Sequence, residues 1–171
     1  MLMITIPEKI AKKARELGLD LESMILEAIM KELNLSRNEE IEVRLEIAEN
    51  SLKEAKNYLN KGNSVQASEK LYKVVEECVK ILAQLYEFPE CEKAKSERRW
   101  WIQLLGKSAR KLTRILGEPM IEQVWAIAYD LHVWGFHEAK YDIEDIKDDV
   151  KYAEWIIEYT KKIVEKKLST K

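Results

Sequence analysis

Glycine and proline are scarce in this chain, five and three among 171 residues, against usual shares of about 7% and 5%. That excludes collagen-like repeats and Pro/Gly-rich linkers, and it leaves few places where a helix must stop. Cysteine is as rare. The two thiols, Cys78 and Cys91, form no CxxC pair and no zinc-ligand pattern. Cys78 falls on an apolar stripe and reads as a buried free thiol, with a Cys78–Cys91 bridge as the alternative in a hyperthermophile. Long hydrophobic runs are missing too: nothing approaches the roughly 18 apolar residues of a membrane-spanning helix. The opening residues 1–6 are too short for a signal peptide, so the expected compartment is the cytoplasm. Charge of one sign is not in excess, with 29 Lys and Arg against 31 Asp and Glu. There is no GxGxxG, P-loop, GxSxG or HExxH motif, and no serine sits in a nucleophile motif. No cofactor is expected.

What is present is helix-forming residues. Apolar residues make up 46% and charged residues 35% of the chain, too apolar for disorder. Abundant Lys and Glu fit a thermophile-like surface. Residues 2–6 are apolar or β-branched and read as a short strand. Thr5-Ile6-Pro7-Glu8 reads as a capping box opening a helix to residue 17, with Gly18 ending it. Asp20 is expected to cap a second helix over residues 21–33. A lone strand cannot satisfy its own backbone groups. Pairing with the same strand of a second copy would do so, which implies a strand–helix–helix dimerisation unit over residues 1–36 and a homodimer.

Residues 37–171 are expected to form an antiparallel bundle of four to five long helices, the chain as a whole being all-α apart from the strand. Ser36-Arg37-Asn38-Glu39 is a second capping box. Behind it Ile41, Leu45, Ala48, Leu52, Ala55 and Leu59 repeat at helical spacing. Gly62 closes that helix, and Asn63 with Gln66 opens the next, running inward through Leu71, Tyr72, Val75, Cys78, Val79 and Leu82. A connection this short demands an antiparallel pair. Further helices are expected over residues 100–116, 120–138 and 143–168, with Trp101, Leu104, Leu105, Ser108, Leu112 and Ile115 on one face of the first.

Four constellations bear on chemistry. The only histidines, His132 and His137, stand in Leu131-His132-Val133-Trp134-Gly135-Phe136-His137-Glu138. His132 lies on the core stripe; His137, five residues on, is about 140° round an α-helix axis, so the two should not ligate one metal. Each can be a structural imidazole, at the core or at a helix C-terminus, or an acid–base catalyst near neutral pH. Gly135 inside a helix costs up to about 1 kcal/mol against Ala, which implies close approach of another element or a fraying end. Next, residues 93–114 carry eight cations against Glu97 alone. Arg98, Arg99, Arg110 and Arg114, beside Trp100 and Trp101, form a candidate patch for an anion, nucleotide or RNA; the alternative is an ion-paired surface facing the acidic residues 142–154. Asp142, Asp145 and Asp149 share a helix face, which acids favour near a helix start; no metal site is assigned to them. Lastly, the residue 2–6 strand offers only Thr5 as a polar side chain and is not expected to read DNA bases.

The segments Tyr58-Leu59-Asn60-Lys61-Gly62-Asn63, Val65-Gln66-Ala67-Ser68-Glu69-Lys70-Leu71-Tyr72 and Ala128-Tyr129-Asp130-Leu131-His132-Val133-Trp134-Gly135-Phe136-His137-Glu138 resemble the archaeal PaREP family, over roughly residues 45–164. The resemblance implies a bundle similar to HEPN domains, which include RNA-cleaving toxins and inactive binding modules. In catalytic HEPN domains an Arg precedes a His by four to six intervening residues, and the pair cleaves RNA without metal across a dimer interface. His137 fills the His position. The Arg position falls on Asp130, Leu131 or His132, none of them Arg. The resemblance therefore favours a non-catalytic homodimeric interaction or regulatory module, with an endoribonuclease using His132 and His137, or a nucleotide or nucleic-acid binding module, as alternatives.

Overall fold

The computed structural model describes residues 4–17 and 19–169. Helices account for most of them, with no strand among the described residues. The chain divides into two compact units, Met1–Glu40 and Ile41–Lys171.

The first unit carries α1 (Glu8–Glu16) and α2 (Leu21–Glu32). Ile4, Thr5 and Ile6 lie outside any regular element, which corrects the expected strand; residues 2 and 3, and Gly18, are outside the described residues. The physical reason is that, among the described residues, no strand lies beside this segment to offer ladder hydrogen bonds. Pro7, not Thr5, occupies the N-cap of α1, with no side-chain cap, because proline suits a helix start through its fixed φ. Asp20 does cap α2, its Oδ1 accepting from Ser23 N at 3.1 Å.

The second unit continues α3 (Arg37–Asn60) and adds α4 (Ser64–Leu85), α5 (Pro89–Glu97), α6 (Ile102–Leu116) and α7 (Met120–Asp130). A π-helix over Leu131–His137 extends α7, and α8 (Ile143–Ile146) and a 3-10 turn (Lys147–Asp149) lead into α9 (Val150–Leu168). The expected single helices over 120–138 and 143–168 are thus each interrupted. Local signals set most boundaries. Glu39 Oε2 accepts from Ser36 N at 2.8 Å while Ser36 Oγ accepts from Glu39 N at 3.4 Å, the reciprocal capping that the sequence announces. Asn63 Oδ1 accepts from Gln66 N at 3.1 Å. Gly62 and Gly117 turn with φ of +73° and +65°, which only glycine adopts without strain.

Helix α4 is the hub, packing on α6, α7, the π-helix and α9. It is buried almost all round: the apolar stripe through Leu71, Val75 and Leu82 lies on one side, and the charged residues Lys73, Glu76, Glu77 and Lys80 are enclosed as well. Ion pairs Lys70–Glu54 and Arg44–Glu77 fix it antiparallel to α3. Ala48, Ala55, Leu71, Val75, Val79, Leu82, Leu105, Leu112, Val124 and Ile156 share the core. Cys78 and Cys91 are both free and buried; burial pushes the Cys78 thiol up to about 12.

Helix α6 starts at Ile102, with Trp101 as its extended N-cap. Trp101 is therefore 38% exposed, and Ile115, at the far end, 56%. Both were expected on the core face, which Leu104, Leu105, Ser108 and Leu112 do form. No helix among the described residues is long and apolar enough to cross a membrane.

Candidate functional site

The two histidines meet because the helix carrying them changes register. Past Asp130 the backbone winds as a π-helix, whose hydrogen bonds reach back five residues instead of four; Glu138 N, for instance, donates to Val133 O at 2.9 Å. Residues five apart then lie one above the other. His132 Nε2 and His137 Nε2 stand 3.1 Å apart, with the rings edge to face at 4.4 Å and 85°. This overturns the expectation that the pair point apart, which assumed α-helical winding. In such a contact one imidazole donates and the other accepts.

Surrounding groups hold the pair. The His132 ring stacks on Tyr72 of α4 at 4.1 Å and 28°, and Phe136 lies 4.9 Å from the His137 ring. His132 is half-buried and His137 exposed. Gly135 brings the π-helix backbone against α4, where a Cβ would stand 2.2 Å from Ser68 Oγ. The close approach implied by a glycine here is thus to α4. Ser68 is fully buried, and its Oγ has no hydrogen-bond partner among the described residues.

A second anchor follows the π-helix. Tyr141 Oη donates to Asp130 Oδ2 at 2.6 Å, while Ser64 Oγ donates to Tyr141 O at 2.8 Å. The hydrogen bond to Asp130, aided by burial and neighbouring carboxylates, raises the Tyr141 phenol to about 12. Burial, with Asp130 nearby, also raises the Asp149 carboxyl above its ordinary value. Asp142 and Asp145 serve as a capping box at the start of α8. Among the described residues no three His, Cys, Asp or Glu side chains gather to hold a metal ion.

The four arginines do not converge. Arg98 is exposed at the left-handed C-cap of α5. Arg99 lies over the Trp101 ring, 4.2 Å from its centroid, a cation–π contact. Arg110 pairs with Glu122 at 3.3 Å, and Arg114 is exposed one turn further along. At 1.5 Å per residue the start of α6 and Arg114 are about 18 Å apart. The contacts Arg110–Glu122 and Gly106–Trp125 make α6 and α7 antiparallel. Arg99 and Trp101 thus belong to the end of this hairpin from which the π-helix extends, and Arg114 to the other.

Sequence reasoning missed one cluster. Lys73, Glu76, Glu77 and Lys80 share a face of α4 and are all buried, as is Arg44 of α3. Glu77 meets Arg44 at 2.8 Å, Lys80 at 2.9 Å and Lys73 at 3.1 Å, and Glu76 meets Lys80 at 3.0 Å. Burial opposes ionisation of Glu77, but Lys80, Lys73 and Arg44 outweigh it and hold the carboxyl well below 4.5. The i, i+3, i+4, i+7 spacing of opposite charges was the available signal; ordinarily it marks a solvated helix face.

Comparison with known proteins bears on the same helices. The crystal structure of a protein from Sulfolobus solfataricus is similar, with a TM-score of 0.60 and 31% identity over 67% of this chain and 92% of that one. No curated protein matches. The family model described as the archaeal PaREP1/PaREP8 family matches residues 43–157, which takes in α4, the π-helix and both histidines. By that match the chain belongs to the archaeal PaREP1/PaREP8 family.

Proposed function

We propose that this chain is a non-catalytic, HEPN-like helical module that acts in the cytoplasm as a homodimer, in an interaction or regulatory role. The observation that carries the reading is the occupancy of the three positions where a HEPN nuclease would place its arginine. Asp130 accepts from Tyr141, Leu131 is buried in the core, and His132 is engaged with His137 and Tyr72. A permanent cation, the group suited to stabilising charge on a phosphoryl transition state, is missing from all three. We assign self-association to residues 1–36, where Ile10, Leu17, Met24, Ile29 and Leu33 are exposed apolar side chains that a second copy can cover.

A second reading draws on the paired imidazoles. Two rings in contact at 3.1 Å can hold one proton between them and serve as acid and base in metal-independent RNA cleavage. Incubating the purified chain with structured and single-stranded RNA in EDTA separates the two. Intact RNA, with light scattering showing a dimer, is the expected result. Cleavage that disappears in His137→Ala would establish the nuclease and overturn the first reading.

A further inference from the structure

We infer that His132 and His137 form a solvent-open binding site for a divalent transition-metal ion of the imidazole-preferring kind, Ni²⁺, Cu²⁺ or Zn²⁺. The inference goes beyond the interaction role and does not depend on it.

The argument is geometric first. Zinc and its neighbours bind imidazole nitrogen at about 2.0–2.1 Å. Two nitrogens 3.1 Å apart, each at such a distance from one ion, subtend about 98° at the metal. That lies between the right angle of cis positions in square-planar or octahedral coordination and the tetrahedral angle. The spacing between the rings therefore suits a chelate, and the π-helical register supplies it. An α-helix would have placed the same residues on different faces.

The surroundings support the same conclusion. His132 is held by stacking on Tyr72, and its helix is pinned to α4 through Gly135, so one ligand is positioned before an ion arrives. His137 is exposed, which leaves its side of the pair open to solvent. No third His, Cys, Asp or Glu completes a ligand set among the described residues, so the remaining coordination positions belong to water or to an exogenous oxygen or nitrogen donor. Such a set, with neutral nitrogen ligands and open positions, selects imidazole-loving ions over Mg²⁺ or Ca²⁺, which want oxygen.

The proton balance is simple. In the neutral pair one ring carries its proton on Nε2 and donates it to the other. Binding requires a lone pair on both Nε2 atoms, so that proton moves to Nδ1 of the same ring through solvent, and no net proton is lost. The exposed ring, His137, is the one with solvent at hand for the exchange.

Titration of the full chain with Ni²⁺ by calorimetry, repeated with Cu²⁺ while recording nitrogen hyperfine structure by electron paramagnetic resonance, tests the site. Saturable 1:1 binding with imidazole nitrogen coordination is expected, weakened roughly tenfold or more in His137→Ala. His137 is exposed, and retained circular dichroism in the variant shows that the loss is not unfolding. His132→Gln provides the second arm and should weaken binding to the same degree. Absence of saturable binding in the wild type, or a smaller than tenfold loss in His137→Ala, overturns the inference.

Discussion

Gly135 and Ser68 are in contact through atoms that leave no room for a side chain: a Cβ on Gly135 would stand 2.2 Å from Ser68 Oγ and 2.6 Å from Ser68 Cβ. This contact seats the π-helix on α4 and thereby holds the histidine pair beside Tyr72. Gly135→Ala should accordingly destabilise the fold by about 1–3 kcal/mol through overpacking, although alanine is the better helix former. Urea unfolding checks it. Ser68→Gly should rescue part of the loss in the double variant, since it removes both offending atoms. An unchanged midpoint in Gly135→Ala would show that the helices can separate at no cost.

Glu77 is the keystone of the buried charges. Its carboxylate faces Arg44, Lys73 and Lys80, and removing it takes away the anion that these three buried cations share. Glu77→Ala should cost about 3–5 kcal/mol. The pH dependence has a definite sign. The folded carboxyl lies well below 4.5, so its contribution is complete above that value and drains away as pH falls through the folded value. Unfolding free energy measured from pH 7 down to 2 should therefore decline more steeply in the wild type than in Glu77→Gln. Parallel curves would contradict the pairing.

Tyr141 titrates late because its proton is held by Asp130. Here the neutral form is favoured in the fold. The stabilisation is present in full below 10.0 and is lost as pH rises through about 12. Phenolate absorbance at 295 nm should show a tyrosine step near that upper value which vanishes in Tyr141→Phe and moves down in Asp130→Asn. A wild-type titration in which every tyrosine ionises near 10.0 would mean that the hydrogen bond does not form.

The legible parts of the fold are those governed by local chemistry. Ser36 with Glu39, Asp20, Asn63, Gly62 and Gly117 mark helix ends because capping and left-handed turns need only neighbouring backbone groups. The inward stripe of α3 is legible through its helical spacing, and the glycine at 135 through its cost inside a helix. Trp101 departs from the core face because the apolar periodicity of the sequence runs one residue N-terminal to the start of α6, where the backbone is already extended. The charges at 73, 76, 77 and 80 gave no hint of burial, since the same pattern stabilises exposed helices.

The amino-acid sequence alone determined that the chain is helical, where most helices start and stop, and that the two histidines stand five residues apart. Only the tertiary structure decided that those five residues span one turn of a π-helix rather than 140° of an α-helix. The physical reason is that the segment packs on α4, with Gly135 against Ser68, and the π-helical register that goes with that packing is not written in the propensities of residues 131–137.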